Sequence, residues 1–184
     1  MTNTINYLKY FLKAKGRHGT HSPFVYAFVE DVLHDRRSFY ASHLIQKESN
    51  AAGYKPREIS AIFKTIQYLK PNAVLLSDGA GWLKKVIRAG ENSLPIVDLQ
   101  NELQHTDNVV AIITCEEANI NLLQSLKQKS SNELTIIIVH PHNDENLWQQ
   151  AIQLSEFNRS MDCWYMGLLF YNPSFKVKQH FFLR

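Results

Sequence analysis

The run Ala73-Val-Leu-Leu-Ser-Asp-Gly-Ala-Gly-Trp82 constrains this chain most: an apolar segment breaks at Asp78-Gly79-Ala80-Gly81 and resumes with helical periodicity. A buried strand, a tight glycine turn and a helix start are the parts of a dinucleotide- or adenosine-binding loop. Glycines let a ligand approach the backbone closely, and the first turn of a helix offers free N–H groups. The turn carries two glycines rather than three. Leu75 and Leu76 stand where an acidic residue often ends the strand.

Around that loop the periodicity alternates. Ile5, Leu8, Phe11 and Leu12 recur at helical spacing until Gly16, and Ser22-Pro23 opens a second helix with Val25, Phe28, Val29, Val32 and Leu33 on its apolar face. Residues 36–50 read as a helix followed by a loop, with a seam at 51–55. Pro56 opens a further helix that Lys70-Pro71 stops. Strands are predicted at 73–77, 94–99, 109–114 and 134–139, with intervening helices at 82–89 and, from a capping box at Thr114-Cys-Glu-Glu117, through Lys129. Asn143 or Asp144 caps the next helix. Two last strands, 163–171 and 176–183, joined by a short loop, are expected to pair antiparallel. The fold class is therefore α/β, a Rossmann-like, mostly parallel sheet with helices on both faces, a C-terminal antiparallel hairpin and an N-terminal helical appendage.

With 184 residues, 45% hydrophobic and 20% charged, the chain is sized for one globular core. No apolar run reaches the length of a membrane span, and Met1-Thr-Asn-Thr lacks the order of a secretory signal. A cytoplasmic protein with no membrane partner is expected, its Cys115 and Cys163 reduced and buried. The net charge of +3 is concentrated in the N-terminal segment, where Lys9, Lys13, Lys15, Arg17, Arg36, Arg37 and Lys47 outnumber Glu30, Asp31 and Asp35. Such a face suits a polyanion or plain solvent.

The element order resembles that of class I S-adenosylmethionine-dependent methyltransferases. The end motifs Gly16-Arg-His-Gly-Thr-His-Ser-Pro-Phe-Val-Tyr26, Gly167-Leu-Leu-Phe-Tyr171 and Lys178-Gln-His-Phe-Phe-Leu-Arg184 resemble a methyltransferase-like family common in Bacteroidetes-type bacteria, as does Phe63-Lys-Thr-Ile-Gln-Tyr-Leu-Lys-Pro71. The resemblance implies a helical appendage at 1–50, a methyltransferase-like unit at 51–184, and S-adenosylmethionine as cofactor. Its expected contacts are Asp78, Gly79 and Gly81 in the turn and Asp98, 17 residues past Gly81, on the ribose hydroxyls. Glu116 and His142, which follow the later strands where related proteins carry aspartates, complete the expected cofactor contacts.

The same pocket departs from the family. The acid is displaced into the turn, Trp82 brings an indole beside the glycines, and the stretch from Asp98 to Val109 is too short for the usual strand-plus-helix unit. His140 and His142, with His105 or His180, lack zinc-ligand spacing, and no metal is expected. Arg17, His18, His21 and Ser22 suit either an anion or a helix cap. Three functions stay open: an active methyltransferase acting on an unidentified small-molecule or macromolecular acceptor, a methyltransferase-like fold turned interaction or scaffold module, and a basic nucleic-acid-binding protein.

Overall fold

A computed structural model of the chain describes residues 2–16, 22–37, 41–101 and 106–184. The readings placed on Arg17, His18, His21 and His105 lie outside the described residues. At the centre lie β3 (Thr106–Thr114) and β4 (Ser130–Val139), paired in parallel. Their side chains alternate between two cores. Val110, Ile112, Ile137 and Val139 enter one; Val109, Ala111, Ile113, Leu134, Ile136 and Ile138 enter the other. A strand buried on both faces has to be apolar throughout, which is what the Ile-Ile-Ile-Val run supplies.

The sheet is completed by β1 (Ala73–Leu76), β2 (Ile96–Asp98), β5 (Arg159–Asp162), β6 (Met166–Tyr171) and β7 (Gln179–Phe182), in the order β2-β1-β3-β4-β6-β5-β7. The β2-β1-β3-β4 half is parallel. One face is covered by α2 (Pro23–Phe28) with its π-helical continuation Val29–Leu33, α3 (Ser42–Ala52), α4 (Pro56–Leu69) and α5 (Leu83–Gly90). The other is covered by α6 (Ile120–Lys127) and α7 (Glu145–Gln153). This is the expected Rossmann-like α/β architecture. No helix among the described residues is long and apolar enough to cross a membrane.

The N-terminal helices lie against this body and share its core. Val25, Phe28, Val29, Val32 and Ile45 belong to the same buried cluster as Ile59, Ile62 and Ile66 of α4. The first helix, α1 (Thr2–Lys13), is tied at its end: the buried Tyr10 hydroxyl donates to the carbonyls of Leu183 and Asp162, and the Lys15 N–H donates to Phe182.

Three expectations are corrected. Within 36–50, expected as a helix followed by a loop, residues 42–50 are helical and belong to α3, which Gly53 closes in the left-handed region, φ 76°, while Asp35 accepts the Arg37 N–H in a local turn ahead of it. The helix expected from Thr114 starts later, at α6. There Asn119 takes the cap, its side chain accepting the Leu122 N–H at 2.9 Å. Finally, the C-terminal hairpin is made by β5 and β6. The last strand, β7, lies beyond β5 and parallel to it, so β6 and β7 are not neighbours. Asn158 directs that path, donating to the carbonyls of Asn172 and Phe175 and pulling the connecting loop past β5.

Gly167 of β6 faces the Trp148 ring, which is fully buried in α7; a Cβ there would stand 2.8 Å from two ring carbons and 3.1 Å from Pro141. The indole N–H is held by Asp162 at 2.9 Å, so the ring has little freedom to retreat. Gly167→Ala is expected to lower stability by about 1–3 kcal/mol in urea unfolding, the usual cost of overpacking.

Candidate functional site

The carboxyl ends of β1, β2, β3 and β4 open on one edge, where open α/β sheets bind ligands. Asp78–Ala80 forms a single 3-10 turn after β1, followed by Gly81 and Trp82. The turn does not face an open cradle. The Glu117 carboxylate accepts the Gly79 N–H at 2.9 Å and the Thr114 hydroxyl at 2.8 Å, and a third bond comes from the Ser77 hydroxyl. A Cβ at Gly79 would lie 2.8 Å from that carboxylate, so this glycine is needed for close approach of a side chain of its own protein. Burial pushes the Glu117 carboxyl up, but the bonds from Ser77, Gly79 and Thr114 outweigh it and hold the group below the usual glutamate range.

Beside the turn, the Trp82 ring stacks on Tyr54 with centroids 5.0 Å apart, and Tyr54 tilts against His140 at 5.3 Å. His140 sits in the left-handed region, φ 54°, and meets the buried Glu58 carboxylate at 3.1 Å. Burial raises the Glu58 carboxyl; the His140 contact and the Lys55 N–H reverse that and leave it lowered.

Beyond β4 lies a second polar centre. Asp162, fully buried, accepts the Trp164 N–H at 2.9 Å, the Trp148 indole N–H at 2.9 Å and a His142 contact through Nε2 at 3.0 Å. The His142 ring stacks on Trp164 at 4.3 Å, and Trp164 itself adopts φ 66°. A tryptophan in that region costs about 1–3 kcal/mol, which the three Asp162 contacts and the stacking offset. Next to Trp164 a cavity of about 330 Å3 opens between α1, α4 and the turn at residues 163–165.

The residues singled out in the sequence do not converge. Asp78 and Gly81 lie exposed in the turn, while Asp98 ends β2, exposed and without a side-chain partner among the described residues. Glu116 accepts from the Asn143 side chain at 3.2 Å. His142 makes its contacts with Asp162, Trp164, Tyr10 and Glu145, none of which touches the glycine turn. His140, His142 and His180 each take a different partner, Glu58, Asp162 and Ser160. Among the described residues no group of three or more histidine, cysteine or acidic side chains is placed to hold a metal.

Glu117 and Asp162 are the residues that the sequence reading did not assign to the site. A signal for Glu117 was present in its spacing from Thr114, which brings a carboxylate back over the strand end. It serves the glycine turn rather than a helix start. Compared with known proteins, the chain matches no family model and no curated sequence.

Because the folded Glu117 carboxyl is lowered, its contribution to stability is complete above the ordinary glutamate range, about pH 4.3, and is lost as pH falls through the folded value. Glu117→Gln is therefore expected to destabilise the protein by about 1–3 kcal/mol at neutral pH. The gap between variant and parent in urea unfolding should shrink below about pH 4.

Proposed function

We propose that this chain is a methyltransferase-like module whose role does not depend on S-adenosylmethionine, a non-catalytic interaction or scaffold unit. The observation that carries the reading is the Glu117 carboxylate on the Gly79 N–H. The turn's N–H and the Ser77 and Thr114 hydroxyls are already bonded within the chain, so a ligand entering here replaces a charge-assisted contact instead of adding one.

Two further features act on the same pocket. Leu75 and Leu76 offer a cofactor's ammonium group no carboxylate, and the Trp82 indole is fixed against Tyr54 beside the turn. Between β2 and β3 the chain is also too short for a strand and helix that would wall an adenine. The residues present do not fit the cofactor. At roughly 1–2 kcal/mol for each loss, a micromolar site moves towards the millimolar range.

Calorimetry with S-adenosylmethionine and S-adenosylhomocysteine tests the reading, with no saturable heat expected at about 1 mM ligand. A low-micromolar dissociation constant for the parent protein overturns it. Binding that emerges only in Glu117→Ala identifies the carboxylate as the block. An active methyltransferase is the second reading, favoured by Asp98, which ends β2 with its carboxylate exposed and without a side-chain partner among the described residues. On that reading Asp98→Ala weakens cofactor binding by about 1.5–3 kcal/mol for each hydrogen bond lost.

A further inference from the structure

The cavity beside Trp164 is built differently from the glycine turn, and nothing about it depends on whether Glu117 closes that turn. Among the described residues, Arg57 and Lys64 of α4 and Arg184 bring three cations to its lining, against the acid Asp35. Asp35 is already engaged, with Lys64 at 3.4 Å and Arg37 at 2.8 Å. Arg184 lies over the Phe11 ring at 4.4 Å, while Arg57 has no ion pair among the described residues. The walls are aromatic, with Tyr7, Phe11, Trp164 and Tyr165 among them.

One wall is fixed at a conformational cost. Trp164 keeps a left-handed backbone that few tryptophans adopt, and the buried Asp162 holds it there through the Trp164 N–H and through His142, which stacks on the indole. Strained, over-determined residues of this kind cluster where a protein presents a surface to a ligand. Burial pushes the Tyr165 hydroxyl up, Cys163 and Glu58 add to that, and Arg57 opposes it, which places the guanidinium within electrostatic reach of the cavity wall. A concave space with flat apolar walls and a surplus of cations selects a flat apolar body carrying a negative charge.

We infer that this cavity is a binding site for a small aromatic carboxylate, its ring against Trp164 and its carboxylate on Arg57. An aromatic ring matches the walls, and guanidinium recognises a carboxylate through paired N–H donors.

The test uses the full chain with 1-naphthoate as probe, beside its neutral carboxamide and the cationic 1-naphthylmethylamine, in calorimetry. Saturable binding of naphthoate is expected, with the carboxamide at least about tenfold weaker and the amine not binding. Arg57→Gln, at an exposed position, should weaken naphthoate about tenfold or more and leave the carboxamide unchanged. Trp164→Gly should weaken both; glycine suits the positive φ, and because the indole also packs on Tyr7, Tyr10 and His142, the variant is compared with the parent in urea unfolding to check that it is folded. The inference is overturned if naphthoate fails to saturate the folded parent by about 10 mM. Equal binding of the amine, or naphthoate affinity unaltered by Arg57→Gln, overturns it too.

Discussion

Burial of β3 and β4 on both faces is the constraint from which the rest of the structure follows. Ten side chains from these two strands divide between two apolar clusters, and neither cluster closes unless helices lie over it. The parallel pairing then requires crossovers, which carry α6 to one face and α5 to the other, where α4, leading into β1, packs beside it. All the parallel strands end at one edge as a result. The turns after β1, β3 and β4 become neighbours there although they are distant in sequence. Ser77, Thr114 and Glu117 meet for this reason, and so do Tyr54, Trp82 and His140.

Asp162 plays the corresponding part at the other end of the sheet. A carboxyl group without exposure to water needs partners for its oxygens, and the structure supplies them from α7, from the loop after β4 and from the backbone of the hairpin. These contacts orient His142, fix the Trp148 ring over Gly167 and keep Trp164 in its strained conformation. Tyr10 adds a bond from α1 to the carbonyl of the same residue. The N-terminal helix, the hairpin and the last strand are thus held at one buried polar point. Both centres bond polar groups within the chain, with the buried His142 Nδ1 left without a hydrogen-bond partner among the described residues, and the second has a cation-rich cavity beside it.

Much of the fold is legible in the sequence. The β-branched run in β4, the Ser22-Pro23 and Pro56 helix starts and the stop at Lys70-Pro71 are local signals, and local physics decides them. The short strand β5 was not legible. Arg-Ser-Met-Asp has no strand pattern, and it is a strand because Arg159 packs its guanidinium 3.6 Å over the Phe175 ring while Asp162 finds partners in α7 and the loop before it. The place of β7 depends in the same way on Asn158 and its bonds to a loop that follows β6.

For the site, the sequence by itself determined which residues stand at strand ends, and it marked the glycine turn, Trp82 and the short segment after Asp98. It did not determine what those residues face. Whether Gly79 meets a ligand or a carboxylate depends on where Glu117 lies in space. That is set by the crossing from β3 to α6 and the register of β1 against β3. His142 likewise turns to Asp162 only because the hairpin brings a residue twenty positions later against the loop after β4. Helix starts and buried strands are written in spacing a few residues wide; hydrogen-bond partners across a sheet are chosen by packing, and only the tertiary structure decides them.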